Sequence, residues 1–167
     1  MKPIRAAVVT VSDTGYTGQR EDVSGPLLCA LVTEIGVEVV RQTIVPDEHG
    51  EIVAMLANLA DEMALDLVIT TGGTGLTPRD VTPEATRAVI ERQVPGLAEV
   101  LRFRGYRHTE MAVISRGLAG IRGRTLIINL PGNPRAVRQG METLAPIIPH
   151  AVQMIRGEDT EHETDDS

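Results

Sequence analysis

The stretch Thr70-Thr71-Gly72-Gly73-Thr74-Gly75 places three glycines directly behind an apolar run. Glycines at such a point let backbone N–H groups approach an anion closely, and Thr71 and Thr74 add hydroxyl donors. The Gly-Lys-Ser/Thr of a phosphate-binding P-loop is absent, and Pro78 stands where a dinucleotide fingerprint needs its third glycine. From glycine content alone, an ordinary turn explains the stretch equally well. The following residues shift the balance. Arg79-Asp80 is succeeded by Thr82-Pro83, a hydroxyl cap and a first-turn proline that predict a helix start. Helix N-termini attract phosphate, so the neighbourhood favours an anion site.

Asp47 and Asp80, with Asp13 as a third candidate, are the acids that the connections after strands bring into play. Carboxylates gathered without a lysine repel one another unless a cation lies between them. Mg2+ suits such a place, because it takes few protein carboxylates and shares its other positions with phosphate and water. Each aspartate also has a plainer use as a helix or turn cap. The stretch Asn129-Leu130-Pro131-Gly132-Asn133-Pro134-Arg135 supplies a tight turn, a capping asparagine and a cation in the first helical turn. It equally fits a plain strand–turn–helix connection. His49, His108, His150 and His162 show no metal-ligand spacing and are expected to be structural or solvated. Ser115-Arg116-Gly117 offers a hydroxyl and a cation with no evident base.

Alternating elements must position these residues. Ile4 to Ser12, Val37 to Val45, Leu65 to Thr71 and Arg124 to Leu130 are short apolar runs, the pattern of strands buried on both faces. Between them lie helical patterns: one capped by Ser24 and ended by Gly36, one from Gly50 to Met63, one from Thr82 and a short one holding Leu97, Val100 and Leu101. The last helices start at Asn133-Pro134 and run to about Arg156; residues 111–123 read as loop and short structure. This alternation predicts an α/β fold, a single-domain three-layer sandwich with a mostly parallel sheet. Right-handed crossovers then open the connections after all four strands on one edge, where ligands bind in such sheets.

Composition narrows the partners. The chain of 167 residues fits one domain, taken as residues 1–156, followed by an acidic tail, residues 157–167, expected to be disordered. With one Phe, two Tyr and no Trp, the core must be aliphatic and a base-stacking platform is disfavoured. A net charge of −7 argues against nucleic acid and anionic membrane as partners. The single Cys29 excludes an internal disulfide and reads as a small buried thiol. No run reaches the roughly 20 apolar residues of a membrane span, and no signal-peptide pattern is present, so a cytoplasmic location is expected.

Together, the Thr70–Glu84 stretch, Ser12-Asp13-Thr14, Pro46-Asp47-Glu48, Ser115-Arg116-Gly117 and Asn129–Pro134 resemble the molybdenum-cofactor biosynthesis domain family of Mog and MoaB proteins and the gephyrin G domain. The resemblance spans about Ile4 to Arg156 and implies a Mog-like fold. Active members join ATP and molybdopterin into adenylyl-molybdopterin and pyrophosphate with Mg2+. Carried over by motif, Asp47 and Asp80 are the catalytic, metal-associated carboxylates. Ser12, Asp13, Gly72, Gly73, Thr74, Gly75, Asn129, Pro131 and Gly132 fall on the nucleotide side, and Arg79, Thr82, Ser115 and Arg116 face the pterin. The resemblance further implies a homotrimer, with a hexamer as the rival, and a molybdenum-inserting partner. Two other readings stand beside adenylyl transfer: hydrolysis of a nucleotide pyrophosphate, and non-catalytic carriage of molybdopterin.

Overall fold

A computed structural model describes residues 2–158. The first half holds strand β1 (Arg5–Val11), the one-turn helix α1 (Asp13–Tyr16), helix α2 (Ser24–Glu34), β2 (Glu38–Val45), α3 (His49–Ala57) and β3 (Leu67–Thr71). A π turn, Asn58–Glu62, continues α3. Next come α4 (Thr82–Val89), β4 (Arg92–Gln93), α5 (Pro95–Tyr106) and the 3-10 segment Glu110–Ile114. The chain ends in β5 (Ala119–Arg122), β6 (Thr125–Leu130), α6 (Pro134–Leu144) and α7 (Ile148–Arg156).

The strands form one sheet in the order β2-β1-β3-β6-β5-β4. Pairings β1–β2, β1–β3 and β3–β6 are parallel, so the exits of these four strands share an edge, as expected from sequence. Side chains alternate between faces and both faces are covered, which is why the strands read as unbroken apolar runs. Ala6, Val8, Ile69 and Ile128 pack with Leu28, Val32, Val137, Leu144 and Val152 from α2, α6 and α7. Ala7, Val9, Val68 and Ile127 pack on the other side with Ile52, Leu56, Leu59, Ala85 and Val89. The three layers are therefore helix, sheet, helix.

Several local features differ from the sequence reading, among them an unexpected strand β4 and Thr82, which is the first residue of α4 and not its hydroxyl cap. Residues 119–122, within the stretch read as loop and short structure, form β5, antiparallel to β6. Gly123, at φ +55°, gives the two-residue hairpin its required first turn residue. The helix expected as short, α5, runs for 12 residues. Ser24 does not cap α2; its hydroxyl donates to the Gly132 carbonyl at 2.6 Å, while Asp22 accepts the Gly25 N–H at 2.9 Å. Gly157, assigned to the tail, closes α7 in the left-handed conformation; residues 159–167 lie outside those described.

Helix α7 is tied to the sheet's opposite edge by a nearly buried ion pair. Arg156 donates to Asp66 through Nε at 3.0 Å and Nη2 at 2.8 Å, and to the Lys2 and Pro3 carbonyls. Burial raises the Asp66 carboxyl, but these bonds and the Arg5 N–H outweigh it and hold the pKa below the ordinary value. Replacing Asp66 with Asn strands the guanidinium and is expected to lower unfolding free energy by about 3 kcal/mol. A lowered folded-state pKa means the pair's contribution is complete above about pH 4 and fades as pH falls below it. Urea titrations at pH 7 and pH 3 should therefore show the variant's deficit shrinking at the lower pH.

Candidate functional site

Each parallel strand delivers part of the site to the common edge. Strand β1 ends at Ser12-Asp13, β2 at Asp47-Glu48, β3 at Gly72–Gly75 and β6 at Pro131–Asn133. Ser12 caps α1 by accepting the Gly15 N–H at 3.0 Å. Asn133 caps α6 as the sequence predicts, accepting the Arg135 N–H at 2.8 Å. The glycine turn is fixed on both flanks: Gly72 N–H donates to Leu130 O, and Thr82 N–H donates to Gly73 O. Gly73 has φ +68°, and a β-carbon there would lie 2.2 Å from the Thr82 hydroxyl. Among the described residues, the N–H groups of Gly73, Thr74 and Gly75 donate to no protein atom. They remain available to an anion.

The acids form a linked set. Asp13 N–H donates to Asp47 Oδ2 and Asp47 N–H donates to Asp13 Oδ1, both at 2.9 Å. Arg79 grips Asp13 with Nε at 3.0 Å and Nη2 at 2.9 Å, and reaches Glu48 at 3.0 Å. The Arg79 bonds and then the Asp47 N–H hold the Asp13 carboxyl below its ordinary pKa. Asp47 moves the other way: burial, with the charges of Asp13 and Asp80, raises it against the pull of the Asp13 N–H. Asp80 Oδ2 accepts from the Thr77 N–H at 3.0 Å and the Thr77 hydroxyl at 2.8 Å. Asp47 Oδ1 and Asp80 Oδ1 accept no hydrogen bond from the described residues.

Two clefts meet at this point. The smaller, about 500 Å³, is lined by Ser12, Asp47, Asp80, Gly72, Gly73 and Gly132, among others. The larger, about 850 Å³, runs from the glycine turn between α5, the 3-10 segment and the start of α6. Gly72, Gly73, Asp80, Gly132 and Asn133 line both. The structure thus brings Asp47 and Asp80 into one cleft, and places Thr74, Gly75, Ser115, Asn129 and Pro131 along the other.

Four expected site residues have other local duties. Thr82 is fully buried and donates to Gly72 O at 3.0 Å; it supports the glycine turn from beneath and does not face a substrate. Arg116 donates to Gly75 O and Asp80 O, each at 2.8 Å, and pairs with Glu84, so its guanidinium clamps the loop. Arg79 is engaged with Asp13 and Glu48 and lines neither cleft. Asn129 is buried beneath the larger cleft, and its amide joins Thr70, Thr86 and Leu118. Thr82→Val preserves shape but leaves the Gly72 carbonyl without its donor. It is expected to cost about 1–2 kcal/mol in a denaturant titration.

The larger cleft also contains residues that sequence reasoning missed. Arg102, Arg104, Arg107 and His108 come from α5 and the turn after it, and Gln139 from α6, next to Arg135, the first-turn cation that the sequence does mark. Arg102 donates to the Ser115 and Gly117 carbonyls at 3.2 and 2.7 Å, holding that segment against the cleft. The basic tilt of α5 was the available signal, but nothing in its spacing aims it at β3. Asp22, which accepts the Thr10 hydroxyl at 2.8 Å, lines the smaller cleft and went unmarked in a polar loop.

The fold and site define an open-sheet α/β protein with a glycine turn and paired acids at the carboxyl edge, where two clefts share a wall. The chain belongs to the molybdopterin-binding domain family: residues 7–150 match the family described as a probable molybdopterin binding domain. It is 40% identical over 159 residues to a molybdopterin adenylyltransferase of Helicobacter pylori, covering 94% of this chain and 90% of that protein. It is 43% identical to the molybdenum cofactor synthesis protein cinnamon of Drosophila melanogaster over 93% of this chain, but spans only 26% of the fly protein. The crystal structure of the molybdopterin biosynthesis enzyme MoaB from Thermus thermophilus superposes with a TM-score of 0.88 at 47% identity, covering 93% of this chain and 98% of that one. The Mog-like fold expected from sequence is the fold observed.

Proposed function

We propose that this chain is a molybdopterin adenylyltransferase, joining AMP from ATP to the molybdopterin phosphate with release of pyrophosphate. The observation that carries the reading is the pair of clefts meeting at Gly72, Gly73 and Asp80, since the reaction must bring two anionic substrates together. Similarity to adenylyltransferases over nearly the whole chain supports it. The nucleotide lies against the Gly72–Gly75 turn and Gly132 where the clefts meet, with Ser12 and Asp47 on the side of the smaller cleft. Thr74, Gly75, Asn129 and Pro131 lie on the side of the larger one, whose farther part beside Ser115 takes the pterin. Asp13, Arg79, Thr82, Arg116 and Asn129 serve by holding other site groups in place.

The nucleophile is an oxygen of the molybdopterin phosphate monoester, ionised near neutral pH with a second pKa of about 6. It forms a bond to the α-phosphorus of ATP as the bond from that phosphorus to the bridging oxygen breaks, and pyrophosphate leaves. No proton must be removed from a phosphate that is already ionised, so the step needs no general base. The free N–H groups of Gly73, Thr74 and Gly75 neutralise charge and orient phosphate oxygens. Mg2+ fits the donor set: Asp47 and Asp80 line one cleft, and each keeps a carboxylate oxygen that accepts no hydrogen bond from the described residues. These two carboxylates would hold it, and when bound it supplies charge neutralisation at the polyphosphate.

We further propose a homotrimer acting in the cytoplasm and passing product to a molybdenum-inserting enzyme. Phe103 and Tyr106 on α5 and Val113 on the following 3-10 segment are exposed apolar side chains that a subunit contact would cover. No helix among the described residues is long and apolar enough to cross a membrane.

Incubation with ATP, Mg2+ and molybdopterin, each omitted in turn, tests the function. Adenylyl-molybdopterin and pyrophosphate are expected only when all three are present. AMP release without pterin would assign a nucleotide-pyrophosphate hydrolase instead. Tight pterin binding with no ATP consumption would leave a carrier.

A further inference from the structure

We infer that Arg79 is a positioning residue, a strut that fixes the spacing of the Asp47 and Asp80 carboxylates, and does not itself contact substrate. The inference rests on the adenylyl-transfer reading and specifies how its metal site is built.

The strut is visible in the bonding pattern. Asp13 and Asp47 stand at the exits of neighbouring strands and hold each other through reciprocal N–H to carboxylate bonds of 2.9 Å. Arg79 belongs to a different connection, the turn after β3, and immediately precedes Asp80. That turn is closed by Asp80 N–H to Thr77 O at 3.0 Å. From there the guanidinium crosses to Asp13 with two donors and to Glu48 with a third contact. One side chain therefore ties the Asp80 turn to the paired acids at the ends of β1 and β2. A planar fork on a carboxylate fixes orientation as well as distance, which a single ammonium does not.

Charge leads to the same assignment. Asp47 and Asp80 share a cleft with Asp13 bonded just behind Asp47, and like charges so near one another spread apart unless something opposes them. Arg79 offsets Asp13 while leaving Asp47 Oδ1 and Asp80 Oδ1 free of protein donors. Asp47 and Asp80 both line the smaller cleft, and Arg79 donates to neither of them. Arg79 is 55% exposed, and exposed ion pairs contribute little to folding. The contacts of Arg79 therefore act on placement more than on folding stability.

The test uses the full chain and its Arg79→Gln and Arg79→Lys variants. Mn2+ serves as the spectroscopic probe of the Mg2+ site, titrated in the presence of a non-hydrolysable ATP analogue. Calorimetry measures binding of the analogue and of molybdopterin without metal. Arg79→Gln is expected to weaken Mn2+ binding by about 10-fold or more, the usual effect of losing a partner that orients a metal ligand. Melting temperature and both metal-free affinities should stay at wild-type values, and lysine should recover less than half of the loss. Full recovery by lysine would show that charge alone suffices and would overturn the strut. Unchanged Mn2+ affinity with weaker metal-free binding would make Arg79 a substrate contact. A wild-type chain that binds no Mn2+ removes the adenylyl-transfer reading itself, whereas wild-type binding with unchanged variants removes only the strut.

Discussion

Asp80→Asn is expected to reduce adenylyl-molybdopterin formation by at least about 100-fold, the scale of losing one preorganised electrostatic group. The substitution is close to isosteric. The amide oxygen can still accept from the Thr77 N–H and hydroxyl, so the turn before α4 keeps its shape. What disappears is a full negative charge on the cleft shared by both substrates. One of the influences raising the Asp47 pKa disappears with it. Asp80 is half-buried, and a near-isosteric change that preserves its bonds should alter stability by about 0.5 kcal/mol, so melting temperature should move by no more than about 2 °C. The decisive measurement is kcat at saturating Mg2+ and ATP beside a melting curve. Turnover equal to wild type would remove Asp80 from the chemistry, whatever the geometry suggests.

The largest loss of stability is expected from Gly72→Ala. Gly72 sits at φ +100°, and a β-carbon there would lie 2.3 Å from the Val11 carbonyl oxygen. That oxygen belongs to the end of β1, so no side-chain rotation relieves the overlap. The same residue donates its N–H to Leu130 O, which binds the turn to the end of β6. Separating β1 from β3 at this point would disturb both clefts at once. Backbone strain of about 1–3 kcal/mol adds to overpacking of similar size, for a total of roughly 3 kcal/mol or more. In a domain of this length that lowers the melting temperature by roughly 6–12 °C. Gly18→Ala is the control: φ is +78°, but nothing lies within 4 Å of the added carbon. It should cost only the left-handed conformation, about 1 kcal/mol. Equal losses at the two glycines would mean that the contact with β1 is not what constrains Gly72.

Comparison of particular residues shows where sequence reading works. Strands β1, β2, β3 and β6 were legible because a strand covered on both faces needs an unbroken apolar run, and each ends at a polar or glycine-rich turn. The Asn133 cap was legible because capping depends on a neighbour two residues away. Thr82 shows the limit. Its type and the following proline announce the helix start correctly, yet its hydroxyl bonds Gly72 O, ten residues back. Strand β5 was missed because Ala119-Gly120 carries no alternation; its strand state is imposed by pairing with β6.

The sequence alone determined which backbone segments alternate, and therefore that Ser12, Asp47, the Gly72–Gly75 turn and Gly132 would gather at one edge. That follows from local periodicity and the handedness of crossovers, neither of which needs a distant side chain. Only the tertiary structure decided that Arg79 and Arg116 would bond to protein, that Asn129 would lie beneath a cleft, and that α5 would build that cleft's far wall. Each of these depends on which groups from remote segments come within about 3 Å, and hydrogen bonding at that range is set by packing, not by spacing along the chain.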